Sequence, residues 1–248
     1  MNKVVLITGA AKGIGRAIAL DLASHGYDIV INYLTSETEA RKLQQQISQQ
    51  FGVRCLAIKA DVSCHDEVAE MFSRIEDQIG FVDILVNNAG LDLPNLFHLK
   101  TADEFRRVLD VNVVGAYNCA VRAYEGMKEK GWGRIVNIAS TNGINTYYPM
   151  CFDYDASKAA LISLTHDLAY QFAPRVNVNA IAPGFIGTEN ELEGYDEQFL
   201  KQEQEKIMVG RYGRPEEVAY LVRFLISNEA DFINNSIIRI DGGQPGSC

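Results

Sequence analysis

Residues 4–15 read Val4-Val5-Leu6-Ile7-Thr8-Gly9-Ala10-Ala11-Lys12-Gly13-Ile14-Gly15. An unbroken apolar run of this length suits a strand buried on both faces. The glycines that follow let the backbone turn tightly and approach a ligand without Cβ clashes. From Ile14 onward the pattern becomes helical. A helix starting there points free N–H groups and the positive end of its dipole at the turn, which suits an anion. A glycine loop alone says little, but strand, turn and helix in this order are the setting in which one cradles a pyrophosphate. The spacing here is G-x3-G-x-G rather than G-x-G-x-x-G.

The same alternation continues outward from this stretch. Short apolar runs at 29–32, 54–58, 84–86, 135–138, 176–181 and 237–240 join 4–7 as strand candidates. Helical patterns fill 14–24, 37–50, 66–78, 102–129, 155–172 and 215–227. The 102–129 stretch is too long for one helix, and a break is expected near 109–112. Strand–helix alternation predicts an α/β fold: a doubly wound, Rossmann-type, seven-stranded parallel sheet with helices on both faces and right-handed crossovers. No linker, repeat or low-complexity tract interrupts it. One domain over 1–248 is therefore expected, with the polar stretch 187–208 as a lid over the substrate.

Composition bounds the rest. The 248 residues carry a net charge of −9, with 47% hydrophobic and 22% charged residues. That is ordinary globular usage. The acidic balance argues against nucleic acid or an anionic membrane surface as partner. No apolar run reaches the length of a membrane span. Cys55, Cys64, Cys119, Cys151 and Cys248 are scattered, odd in number and without a CxxC pair. Reduced thiols in a cytoplasmic protein are expected. His25, His65, His98 and His166 match no metal-ligand spacing, so no metal is expected.

The end of the second strand bears on cofactor choice. An NAD enzyme places Asp or Glu there for the ribose 2′-OH. Here the strand ends Ile31-Asn32-Tyr33, Asp28 comes too early, and Glu37 lies past the end. A neutral end tolerates a 2′-phosphate, and Lys12 is placed to supply a cation to it. NADP is favoured, and NAD stays open. Further along, Tyr154-Asp155-Ala156-Ser157-Lys158 sets Tyr and Lys at i and i+4 on one helix face. An ammonium beside a phenol lowers its pKa from about 10 and makes it a proton carrier near neutral pH. Ser140 ends the fifth strand, at the carboxyl edge where ligands bind in such sheets. Asn87-Asn88-Ala89-Gly90 ends the fourth strand in the same layer, and Asn112 falls in the expected helical break.

Taken together, these motifs resemble the short-chain dehydrogenase/reductase family, in its single-domain branch of about 250 residues, over essentially the whole chain. Thr8 to Gly15 matches TGxxxGxG, Asn87 to Gly90 matches NNAG, and Asn112, Ser140, Tyr154 and Lys158 match the catalytic tetrad. Asp61-Val62 matches the pair that lies against adenine, Pro183-Gly184 with Thr188 matches PGxxxT, and Asp241-Gly242-Gly243 matches the C-terminal DGG. The resemblance implies hydride transfer between NADP(H) and a carbonyl/alcohol pair. In that scheme Tyr154 protonates the carbonyl oxygen and Ser140 positions it. Lys158 holds the nicotinamide ribose and lowers the Tyr154 pKa, and Asn112 holds a water. Thr8, Gly9, Lys12, Gly13, Ile14, Gly15, Asn32, Tyr33, Asp61, Val62, Asn88, Ala89, Gly90, Pro183, Gly184, Ile186 and Thr188 are the implied cofactor contacts. The similarity leans toward 3-oxoacyl-(acyl carrier protein) reductases through Asn32-Tyr33, Gly213 to Val218 and the Pro183–Thr188 segment. Against it stand Ala173-Pro174-Arg175-Val176 and Gly131-Trp132, which lack the expected basic docking residues. An NAD-dependent sugar, polyol or secondary-alcohol dehydrogenase of the same fold is the alternative. Asn234-Asn235 replaces a usual glycine, at a turn that Asn tolerates. The aromatic segment with Tyr147, Tyr148, Met150 and Phe152 suits either a pocket or an interface. The resemblance also implies a homotetramer or homodimer built on the long helices and the last strand. The substrate is hidden in 91–96, 142–152 and 187–208, since loops follow the fewest rules.

Overall fold

The computed structural model describes residues 2–246, so Cys248 lies outside them. The strands are β1 (Val4–Ile7), β2 (Asp28–Tyr33), β3 (Cys55–Lys59), β4 (Ile84–Asn87), β5 (Gly133–Ile138), β6 (Val176–Pro183) and β7 (Ile237–Ile240). All pair in parallel in one sheet of order β3-β2-β1-β4-β5-β6-β7, as the alternation predicts. The order reverses between β1 and β4, and in such sheets ligands bind in the crevice beyond the strand ends at that point.

The helices are α1 (Gly13–Ser24), α2 (Glu37–Phe51), α3 (His65–Gln78), α4 (Ala102–Leu109), α5 (Gly115–Lys130), α6 (Phe152–Phe172), α7 (Glu189–Gly194), α8 (Glu197–Lys206) and α9 (Pro215–Leu225). Alternate strand residues feed two cores. Val5, Ile7, Ile29 and Ile31 pack with Ile18 and Leu22 of α1, Leu43 and Ile47 of α2, and Val218 and Val222 of α9. Val4, Leu6, Val30 and Ile135 face the other way, onto Phe72 and Ile75 of α3, Ala123 and Met127 of α5, and Phe172 of α6. Each of these Val, Leu, Ile, Phe and Met side chains contributes about 1.5–3 kcal/mol when buried.

Two element boundaries differ from expectation. The 102–129 stretch does not break. Between α4 and α5 the chain stays helical, with a π-helical segment at Asp110–Val114 that turns Asn112 inward to 1% exposure. Close packing fixes this run, because a Cβ on Gly115 would meet Val62 Cγ2 at 2.6 Å. Secondly, α6 starts at Phe152 rather than 155. Phe152 packs on Phe97 and Phe105, with ring centroids 5.1 and 6.2 Å away, and Asp153 is fully buried against Lys100. Those long-range contacts extend the helix by a turn, so Tyr154 sits in its first turn.

The early carboxylate in β2, Asp28, is structural: it accepts from Arg54 Nη2 at 2.7 Å and from the Arg54 backbone N–H. Asn235 takes φ +59°, as expected of the residue standing in for glycine. Four described cysteines are free thiols. No helix among the described residues is long and apolar enough to cross a membrane.

Candidate active site

The carboxyl ends of β1, β4, β5 and β6 surround a cavity of about 700 Å3. Its walls include Ile14, Asn88 and Gly90 from the cofactor set, Ser140, Tyr154 and Lys158 from the tetrad, and Pro183, Gly184, Ile186 and Thr188 after β6. Residues from five sequence regions therefore meet in one crevice.

The glycine loop is held by its neighbours. Thr8 Oγ1 accepts from the N–H groups of Asn88 (3.0 Å) and Ala89 (2.9 Å). Asn88 Nδ2 donates to the Thr8 and Gly9 carbonyls. Gly9 has φ +62°, and a Cβ there would sit 2.9 Å from Ala89 Cα, so no other residue fits without strain. Asn32 is buried, accepting from Gly9 N and donating to the Ala60 carbonyl. Thr8 and Asn32 thus spend their side chains on holding the loop, and Tyr33 is buried in the core. Lys12 caps α1 without a side-chain hydrogen bond, so the donors of the first turn have no side-chain partner. Loop, helix end and crevice fit a dinucleotide pyrophosphate. Lys12 itself pairs with Glu39 at 3.2 Å, a partner the sequence reading missed. Asp61 accepts from Ser63 and Arg107; burial opposes, but these bonds hold its carboxyl below the usual range. Val62 packs over Gly115.

At the other end of the crevice, Ser140 lies two residues past the end of β5, rather than ending the strand as expected, and caps a short 3-10 turn, Thr141–Gly143. A Cβ on Gly143 would lie 2.5 Å from the backbone carbon of Lys158. The absence of a side chain therefore brings the Ser140 turn against α6. Lys158 is buried, 3% exposed, and donates to the Ile138 carbonyl at 2.8 Å. Burial lowers its pKa to about 8. Asn112 accepts from Leu91 N at 2.7 Å and donates to Leu91 O and Ser157 Oγ. Both its amide hydrogens are thus spent, and its carboxamide acts as a brace for the loop after β4.

Tyr154 differs from expectation. Burial pushes its phenol above the ordinary tyrosine range, the carboxylates of Asp92 and Glu191 push the same way, and only the Ser140 hydroxyl pulls down. The Lys158 ammonium lies 5.4 Å from the ring centroid and is directed at Ile138 O. In this state the lysine does not bring the phenol toward neutrality.

Asp92 and Glu191 were not anticipated. Both line the cavity, from the loop after β4 and from α7. Both have raised pKa values, first by burial; Glu191 is raised further by Asp92. The aromatic segment divides: Tyr148 and Met150 line the cavity, Phe152 packs inward, and Tyr147 is exposed. Thr188, Glu191, Tyr195 and Phe199 of the 187–208 stretch also face the cavity. No cluster of His, Cys, Asp and Glu arranged for a metal occurs among the described residues.

Residues 9–244 match a family model described as Enoyl-(Acyl carrier protein) reductase. The chain is 39% identical over 246 residues to the acetoacetyl-CoA reductase of Rhizobium meliloti (strain 1021), covering 98% of this chain and 99% of that one. It is 38% identical over 245 residues to a 3-oxoacyl-(acyl-carrier-protein) reductase of Staphylococcus epidermidis, again covering 98% and 99%. Among solved structures, acetoin dehydrogenase from Salmonella typhimurium superposes with a TM-score of 0.88 at 35% identity, covering 98% of this chain and 96% of that one. With the glycine loop, the Ser140–Tyr154–Lys158 crevice and matches across nearly its full length, the chain belongs to the short-chain dehydrogenase/reductase family and is an NAD(P)-dependent oxidoreductase.

Proposed function

We propose that this enzyme uses NADPH to reduce a ketone, as a carbonyl or 3-oxoacyl reductase, with Asn112, Ser140, Tyr154 and Lys158 as its working residues. The convergence of Ser140, Tyr154 and Lys158 on one crevice that begins at the glycine loop carries this reading. When bound, the reduced nicotinamide supplies a hydride to the carbonyl carbon. Tyr154 gives its proton to the carbonyl oxygen, so the C=O π bond is replaced by new C–H and O–H bonds. A raised pKa keeps Tyr154 protonated before the step, which favours the donor role. Ser140, whose hydroxyl is beside the phenol, orients the substrate oxygen. Lys158, which lines the crevice and donates to the Ile138 carbonyl, would hold the ribose hydroxyls when the cofactor is bound. This arrangement addresses an oxygen atom, and so favours a carbonyl over the carbon–carbon double bond named in the matching family description. The 187–208 stretch acts as the lid.

One observation favours the NAD alternative. Glu39 already occupies Lys12, and a 2′-phosphate would have to compete for that cation. A cofactor-oxidation assay with both nucleotides, against ketones, aldehydes, sugars and a 3-oxoacyl thioester, separates the readings. Faster consumption of NADPH than NADH with a ketone or thioester is expected; faster NAD reduction with a polyol would replace the proposal. The enzyme assembles through α5, α6 and β7, where Tyr117 of α5, Tyr170 of α6 and Phe232 in the turn before β7 are exposed. Sedimentation of a dimer or tetramer is expected, and a monomer would exclude this.

A further inference from the structure

The substrate end of the crevice has an unusual lining for a site that is expected to accept an acyl thioester. Asp92 and Glu191 both face it, and neither forms a salt bridge among the described residues. The nearby cations are already engaged. Lys100 is locked on Asp153 at 2.6 Å with both side chains buried, and Lys158 donates to Ile138 O. Lys206 pairs with Glu203. Around the two carboxylates stand Tyr148, Phe185, Tyr195 and Phe199. Phe185 and Tyr195 lie 6.3 Å apart and Tyr195 and Phe199 4.5 Å, forming a continuous aromatic wall. Thr146, 2% exposed, belongs to the same lining, and its Oγ1 has no hydrogen-bond partner.

Asp92 accepts from the Cys151 thiol at 3.3 Å, but two carboxylates without an ion-pair partner still repel each other and any anion brought between them. Aromatic faces attract cations, most of all where water is excluded. An acid-and-aromatic wall beside Tyr154 is therefore complementary to a cation. We propose that the substrate is a ketone carrying a protonated or quaternary amine, with Asp92 and Glu191 as its specificity-determining residues. This rests on the ketone-reductase reading above. The ammonium group sits between the carboxylates and the Tyr195 wall while the carbonyl oxygen reaches Ser140 and Tyr154. The same field works against keto acids and phosphorylated carriers, in line with the missing basic docking residues at Gly131-Trp132 and Ala173 to Val176.

Two isosteres test it. Acetonyltrimethylammonium and 4,4-dimethylpentan-2-one differ by N+ for C, and 4-oxopentanoate supplies an anionic ketone. With NADPH, the kcat/KM ratio of the cation to its neutral isostere is expected to be at least tenfold. The ratio should fall at least fivefold in Asp92→Asn/Glu191→Gln, which separates site recognition from the greater electrophilicity of the charged ketone. A ratio equal in wild type and double variant, or a preference for 4-oxopentanoate, overturns the proposal. If no ketone is reduced at all, it is the reductase reading that fails. Calorimetric titration of the NADP-loaded protein with acetonyltrimethylammonium then decides the cation site alone. Binding weakened at least fivefold in the folded double variant supports it, and binding unchanged in the double variant, or absent in wild type, refutes it.

Discussion

Replacing Lys100 with Met should unfold this protein more readily than any surface change. Lys100 and Asp153 are 2% and 0% exposed, joined at 2.6 Å across 53 residues of sequence. Lys100 also donates to the Leu93 carbonyl, and Asp153 accepts from the Tyr154 N–H. Without the ammonium, the buried Asp153 carboxyl is left with the Tyr154 N–H as its donor. Breaking a buried pair from one side costs about 3–5 kcal/mol. In a chain of this size each kcal/mol moves the melting midpoint by about 2–4 °C, so a drop of roughly 6–20 °C is expected. Removing both charges is different, since an apolar pair of similar volume is often neutral or stabilising. Lys100→Met/Asp153→Leu should therefore melt within about 5 °C of wild type. Scanning calorimetry of both single variants and the double variant closes the cycle. A Lys100→Met midpoint within 2 °C of wild type, or a double variant that loses the sum of the two singles, would refute the reasoning. Because the pair ties the Asp92 loop to the start of α6, substrate KM should rise in Lys100→Met more than kcat falls.

Three other outcomes follow. Gly9→Ala must hold φ near +62° and place its Cβ 2.9 Å from Ala89 Cα, so the dissociation constant for NADPH should rise at least tenfold in a fluorescence titration. Glu39→Gln frees Lys12, and the NADPH-over-NADH preference should increase up to about fivefold, the reach of an exposed ion pair, as read from the ratio of kcat/KM values. Lys158 has a pKa lowered from 10.5 to about 8, so between those values the unfolded chain binds the extra proton and stability rises with pH. Relative to Lys158→Met, wild type should gain roughly 3 kcal/mol from pH 8 to 10.5 in chemical denaturation, and a flat difference would contradict the buried charge.

The sheet and the glycine loop were legible because both rest on local signals. An apolar run buried on two faces, a glycine that needs positive φ, and a helix starting behind it leave little choice of architecture. The Tyr154–Lys158 pair was legible for the same reason, since four positions on a helix bring side chains together. What failed were properties set by the rest of the fold. The length of 102–129 suggested a break near 109–112, but packing of Gly115 on Val62 keeps the run helical, with a π turn at Asp110–Val114. The early start of α6 depends on Lys100, far away in sequence. Asp92 and Glu191 carry no local signal, and only the fold brings the loop after β4 and α7 to the same cavity as Tyr154. The sequence did mark those loops as substrate-determining. The direction of the Tyr154 shift was not legible, because the i, i+4 rule ignores where Lys158 points and what else is buried nearby.

The central claim is that Tyr154 delivers the proton while the glycine loop holds the hydride source. Tyr154→Phe removes one oxygen and leaves the loop untouched. The direct measurement is single-turnover NADPH oxidation with the best ketone, alongside NADPH affinity. The account predicts a rate at least a hundredfold lower, within the range of a lost general acid, with the NADPH dissociation constant within threefold of wild type. A variant that still oxidises NADPH within tenfold of the wild-type rate would contradict it.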